Sequence, residues 1–153
     1  MQNTDNSWSG ISVDLTRMLV NEAGCELSII NVPWVRAIEL LKVGDIDILT
    51  NYTFNQQRSR FSLFLGPHHI EKVAFVADKT KNSGVINIRT LSTFDGSIGI
   101  TRGNSFGEEF DEYTINNDIV KDKVIEINNN KSRYHMLILG HIDGTFDDAL
   151  SAR

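Results

Sequence analysis

The chain is 153 residues long, the size of one ordinary domain or two very small ones. Of its residues 41% are hydrophobic and 23% charged, enough apolar material for a packed core and too much for wholesale disorder. Lys and Arg number 15 against 20 Asp and Glu, and the densest basic stretch, Arg58-Ser59-Arg60, is too short for a nucleic-acid patch, so no nucleic-acid partner is expected.

No apolar run approaches the ~20 residues that a membrane span needs. The single cysteine, Cys25, excludes an internal disulfide and a cysteine-based zinc cluster. Met1 to Ser9 lacks the apolar segment of a signal peptide, so no export signal is expected in the sequence as it stands.

In chain order, Leu15, Met18 and Leu19 fall at helical spacing within Val13 to Ala23, with Gly24 as the stop. Cys25 to Val32 is rich in apolar and β-branched residues and is expected to be a strand, with Cys25 in the core. Pro33 opens a second helix with Trp34, Ala37, Ile38 and Leu41 on its apolar face and Gly44 as its end. Ile46 to Thr50 is expected to be a buried strand, Asn55 to Phe61 a brief helix and Lys72 to Ala77 another strand. The polar stretch Asp78 to Ser83 is a linker candidate. Beyond it come a helical turn at Thr90 to Phe94, a strand at Ser97 to Thr101 and a helix at Ser105 to Tyr113. Val124 to Ile127 is a strand, Lys131 to Leu139 a helix and Asp143 to Phe146 a strand. Alternating helices and strands imply an α/β fold with parallel strands, arranged as two units on either side of the linker.

The pattern L-x-x-G-x-I-D occurs twice, at Leu41 to Asp47 and at Leu137 to Asp143, each a helix end, a glycine stop and a strand start. The expected strands end in Asn51-Tyr52-Thr53 and in Asp147-Asp148, and ligands of open α/β sheets gather at the carboxyl ends of strands.

Three loops there carry usable chemistry. Asn51 to Arg58 offers a hydroxyl at Thr53 and then an arginine, whose planar fork matches a carboxylate. The competing local role is a capping box, Thr53-x-x-Gln56, with Arg58 solvated. Thr101 to Glu108 runs from a strand through Gly103 into a helix start, where free N–H groups attract anions and Asn104 or Ser105 can add a bond. Its local alternative is the box Ser105-x-x-Glu108. Asp147-Asp148 can receive an ammonium group or a metal, or can simply cap a helix. Together the charges fit a zwitterion, with Arg58 and a helix start on its carboxylate and Asp148 on its amine. His68, His69 and Glu71 are a poor metal set, because adjacent strand residues point to opposite faces. No cofactor, metal or catalytic arrangement is expected.

Five segments in order resemble one family. Gly10 to Leu15 is similar to a G-F-x-V-D-L helix start, and Pro33-Trp34 with Leu41 to Asp47 to a P-W…L-x-x-G-x-x-D segment. Thr53 to Arg58, Phe64 and Pro67 are similar to T-x-T-x-E-R…F-S-x-P-Y-Y, Leu91 to Gly103 to the start of a second lobe, and Gly140 to Asp148 to G-R-x-D-a-x-x-x-D. The family is the extracellular solute-binding proteins, family 3, polar-amino-acid-binding components of bacterial ABC transporters. The resemblance implies a bilobal, periplasmic-binding-protein-like fold of type II (a Venus flytrap), with lobes at residues 1–83 and 84–153 and a ligand cleft between them.

By position it implies that Arg58 grips a ligand carboxylate with help from Thr53. Asn104 and Ser105 would bind it from the second lobe, and Asp148 would take the amino group, with Asn51 in the same first loop. It implies a periplasmic protein, not an enzyme, that delivers an amino acid or similar solute to membrane permease subunits. A ligand-sensing domain and a dehydratase-like enzyme are the alternatives on the same fold. His68-His69 depart from the family's tyrosine pair, and Asn55 replaces a common Thr. The first strand and the C-terminal part of the family pattern are missing, which is expected to leave the first lobe with an uncovered sheet edge and a route to self-association.

Overall fold

The computed structural model describes residues 7–67, 70–78 and 87–149. The chain divides into two compact units, Met1–Tyr52 and Thr53–Arg153.

In the first unit the helical spacing produces α1 (Ile11–Glu22) and α2 (Trp34–Val43). Pro33 is the residue just before α2; its carbonyl accepts the first helical bond, from Ala37 N–H at 2.9 Å. At the other end Gly44 adopts φ 81°, a left-handed conformation that costs glycine little. The N–H of Gly44 then donates to Leu41 O at 3.2 Å, and that of Asp45 to Leu40 O at 2.9 Å, which satisfies carbonyls the helix would leave orphaned. Trp34 and Tyr52 meet edge to face, with ring centroids 6.0 Å apart.

Two expectations fail in this unit. Neither Cys25 to Val32 nor Ile46 to Thr50 becomes a strand, and Cys25 is an exposed thiol rather than a core residue. Apolar, β-branched sequence makes a strand only when another strand satisfies its backbone donors and acceptors. Without a sheet in the described part of this unit, the uncovered sheet edge expected there is not seen either. Ile30 and Ile48 are about half exposed.

The second unit is built on one four-stranded sheet: β1 (Val73–Ala77), β2 (Ile98–Thr101), β3 (Val124–Ile127) and β4 (Gly144–Asp148), in the order β1-β4-β2-β3. β2 runs parallel to β3 and β4, as the alternating pattern implied, whereas β1 is antiparallel to β4, with Val73 opposite Asp148 and Ala77 opposite Gly144. Between β2 and β3 lie α3 (Glu108–Asn116) and the single turn α4 (Asp118–Lys121), and α5 (Asn130–Ile138) joins β3 to β4.

The two faces of this sheet are covered differently. On one, Leu91, Phe94, Ile98, Phe110, Val120 and Phe146 form the buried core. Phe146 lies at its centre, 4.8 Å from the rings of both Phe75 and Phe110. On the other face α5 lies against β2, β3 and β4. Gly99 permits the close approach there: a Cβ would fall 2.3 Å from Ile142 Cδ1 and 2.9 Å from Ile127 Cδ1. Both faces of β2 are therefore covered, and Ile98 is fully buried.

Candidate functional site

Arg58 begins a short 3-10 turn, Arg58–Arg60, and is 6% exposed although it is an arginine next to a loop. Asn55, rather than the Thr53-x-x-Gln56 box, organises the turn: its Oδ1 accepts from Arg58 N–H at 2.9 Å and its carbonyl from Ser59 N–H at 3.0 Å. The guanidinium is anchored at both ends. Nη1 donates to Thr53 O at 2.7 Å, and Nη2 donates to Gly103 O at 2.8 Å, from a turn 45 residues away in sequence. Carbonyl acceptors fix the plane of a guanidinium. Thr53 and Arg58 are thus brought together with the Gly103 turn.

That turn leaves the carboxyl end of β2. Thr101 is buried, with its hydroxyl bonded to Asn130 Oδ1 at 2.6 Å, and Asn104 N–H donates to Thr101 O at 3.0 Å. The helix expected from Ser105 begins three residues later, at Glu108. Gly107, at φ 102° and ψ 158°, keeps the backbone out of the helix until then. The Ser105-x-x-Glu108 box does not form. Instead the Ser105 hydroxyl donates to the Asp111 carboxylate at 2.5 Å, a charge-assisted bond that outcompetes a neutral cap. The first turn of α3 carries Glu108, Glu109 and Asp111, which already compensate the helix dipole.

Asp147 and Asp148 end β4. The β2–β4 register pairs Ile98 with Gly144 and Gly99 with Thr145, so its continuation brings Thr101 level with Asp147. Parallel neighbours end on the same side, so the Gly103 turn and Asp148 leave one edge of the sheet, where ligands of such sheets gather. The two aspartates alternate between faces. Asp147 turns toward α5, where its Oδ2 accepts from Arg133 Nη2 and from Tyr134 OH, the latter at 2.7 Å. Asp148 lies on the face that holds Phe146. Both lie within β4, and the helix start that they were expected to cap falls largely outside the described residues.

Asn51 belongs to the first unit, where it is exposed, takes φ 54°, and accepts from the Ser12 hydroxyl at 3.1 Å. His68 and His69 lie outside the described residues. Among the described residues no set of three His, Cys, Asp or Glu could hold a metal ion, and no helix is long and apolar enough to cross a membrane. An open hollow of about 670 Å³ lies against α3, lined by Arg89, Glu108, Glu112 and Tyr113 among others. None of the candidate site residues lines it, and its glutamates would repel a carboxylate.

Four participants went unrecognised in the sequence: Gly103 O as an anchor, Asn55 as the organiser of the Arg58 turn, and Arg133 and Tyr134 behind Asp147. Only the second had a local signal, an Asn three residues before the arginine.

Against solved structures, the chain is 18% identical to an ancestral amino acid-binding protein that is a precursor of cyclohexadienyl dehydratase, with a TM-score of 0.80 over 99% of this chain and 65% of that one. For holo ArgBP from T. maritima the values are 20% identity and a TM-score of 0.81, over 99% of this chain and 64% of that one. For the solute receptor for L-cysteine of Neisseria gonorrhoeae they are 17% and 0.76, over 95% and 57%. Likeness at these identities is one of fold, and the chain spans 65% or less of the length of these three proteins. No curated protein matches. The family model for bacterial extracellular solute-binding proteins, family 3, matches residues 1–145. With an α/β fold of the periplasmic-binding-protein kind beneath that match, the chain belongs to the bacterial extracellular solute-binding proteins, family 3.

Proposed function

We propose that the chain binds a small zwitterionic solute, a polar amino acid, in a cleft between lobes at residues 1–83 and 84–153, for delivery to ABC-transporter permease subunits from the periplasm. The observation that carries this reading is Arg58, buried and held in one plane by the carbonyls of Thr53 and Gly103. A guanidinium fixed in this way suits bidentate recognition of a carboxylate, because its orientation costs no further entropy on binding. Thr53 assists from the same loop, with Asn51 just before it. Asn104 contributes from the Gly103 turn, and Ser105 through its N–H, its hydroxyl being given to Asp111. Asp148 receives the ammonium group. None of these roles needs covalent chemistry. Similarity to amino-acid-binding proteins supports the ligand class.

The test is a thermal-shift scan of the chain against the twenty L-amino acids, on the parent and on Arg58→Ala and Arg58→Lys. A ligand at 100 times its dissociation constant stabilises the fold by about 2.7 kcal/mol, which raises the midpoint by several degrees. The expected result is a shift with one or a few polar amino acids, lost in Arg58→Ala and much reduced in Arg58→Lys. An unchanged shift in Arg58→Ala would remove the carboxylate assignment. Turnover of a cyclic amino-acid precursor would replace binding with dehydratase-like chemistry, the reading favoured by the likeness to a dehydratase precursor.

A further inference from the structure

The end of β4 is held by side chains where the sheet stops holding it. Ala149 N–H donates to Lys72 O at 2.7 Å, so the backbone groups of odd-numbered residues here face β1 and those of even-numbered residues face away from it, toward β2. The β2 pairing runs only as far as Thr145, which would leave Phe146 C=O and Asp148 N–H without a ladder. Arg133 and Asp147 take its place. Arg133 Nη1 donates to Phe146 O at 2.6 Å, and Asp147 Oδ1 accepts from Asp148 N–H at 2.8 Å. The other oxygen of Asp147 accepts from both Arg133 Nη2 and Tyr134 OH. The Arg133 side chain is 1% exposed and that of Asp147 16%. Three consecutive residues, 146 to 148, are thus tied to one buried arginine on α5.

We propose that Arg133, Asp147 and Tyr134 form a brace that positions Asp148 for the ammonium group of the bound amino acid, an assignment that rests on the zwitterion reading above. A carboxylate at a strand end presents a well-defined oxygen only if its backbone is fixed, and the brace fixes the Asp148 N–H directly. Asp147 and Tyr134 act through Asp148 and are positioning residues, with no ligand contact of their own.

The experiment uses the full chain and two probes: the L-amino acid bound most tightly among the twenty, and the same molecule with hydrogen in place of its α-amino group. Affinities are measured by calorimetry for the parent, Asp148→Asn, Asp147→Asn, Tyr134→Phe and the combined Tyr134→Phe/Asp148→Asn, with circular dichroism to verify folding. Asp148→Asn is expected to weaken the amino acid on the order of tenfold or more and to leave the des-amino probe within about twofold, a size typical of coupled contacts. Asp147→Asn and Tyr134→Phe should show the same selectivity with smaller losses, and the combined variant should bind no more weakly than Asp148→Asn. Equal losses for both probes, or losses that multiply in the combined variant, would overturn the brace and leave the zwitterion reading intact. If Asp147→Asn does not fold, Tyr134→Phe decides by the same criteria. A parent that binds none of the twenty, or an Asp148→Asn that does not discriminate between the probes, would remove the zwitterion reading and the brace with it.

Discussion

After α2, the N–H groups of Gly44, Asp45 and Ile46 donate to Leu41, Leu40 and Leu40 at 3.2, 2.9 and 3.4 Å. After α5, those of Gly140, His141 and Ile142 donate to Leu137, Met136 and Met136 at 3.1, 2.8 and 3.4 Å. The two L-x-x-G-x-I-D segments therefore build the same helix stop, and yet the chain beyond them differs. In the second unit Ile142 is 1% exposed and Asp143 locks the chain onto the start of β2, its Oδ2 accepting from Ser97 N–H and Oγ at 2.9 and 3.0 Å. β4 follows, with β1 on one side and β2 on the other. In the first unit Ile46, the counterpart of Ile142, is only half-buried, Ile48 is 50% exposed, and no strand forms among the described residues. A helix stop is written in seven neighbouring residues, whereas a strand is a property of two segments at once.

The sharpest way to break this comparison is to truncate one side chain in each unit. Phe146→Ala removes the ring at the centre of the second unit's core and should cost about 3–5 kcal/mol, whereas Ile48→Ala should cost less than about 1 kcal/mol. Urea denaturation of both variants would expose an error if the costs came out equal. A second contrast uses glycines. A Cβ at Gly144 would fall 2.2 Å from Phe75 Cζ, whereas one at Gly44 meets nothing within 4 Å and suffers only from its positive φ. Gly144→Ala should therefore lose about 1–3 kcal/mol through overpacking, and Gly44→Ala roughly 1 kcal/mol through backbone strain. Gly44→Asn, which tolerates that φ better, should recover part of the second loss and none would be recovered by Gly144→Asn.

The smallest effect concerns pH. Burial pushes the Tyr134 hydroxyl up to about 12, helped by its hydrogen bond to Asp147 and by that residue's charge, with Arg133 pulling the other way. Above the ordinary value of 10.0 the unfolded chain releases a proton that the folded chain keeps, so this contribution is constant below that pH and declines as pH rises toward 12. Comparing unfolding midpoints at about pH 9 and about pH 11, the parent should fall more than Tyr134→Phe, because phenylalanine has no proton to hold. Parallel losses would mean that other titrating groups account for the decline.

Local features of the fold were legible in the sequence. Gly24, Gly44 and Gly140 marked three helix stops, and β3 lay at Val124 to Ile127 as its residues implied. The single turn α4 was missed because one Asn cap, at Asn117, was its whole signal. α3 started late because the competition between Ser105's local cap and Asp111 is settled only when the helix is formed. At the candidate site, Arg58 stood out as a charge able to meet a carboxylate, but its anchor at Gly103 is far away in sequence. Arg133 was invisible for a related reason: an arginine in mid-helix reads as solvated until its strand partners, 13 and 14 residues on, are placed beside it.

Cys25 follows the turn that closes α1, its N–H bonded to Val20 O at 3.0 Å and its thiol exposed. As the chain's single sulfhydryl, it offers one defined place to attach a maleimide dye or spin label without any engineered residue. The tag would sit in the first unit, while the Trp-free second unit leaves both native indoles, Trp8 and Trp34, in the first as well. Energy transfer from those indoles to a label on Cys25 would follow unfolding of the first unit alone, while far-ultraviolet dichroism followed the whole chain.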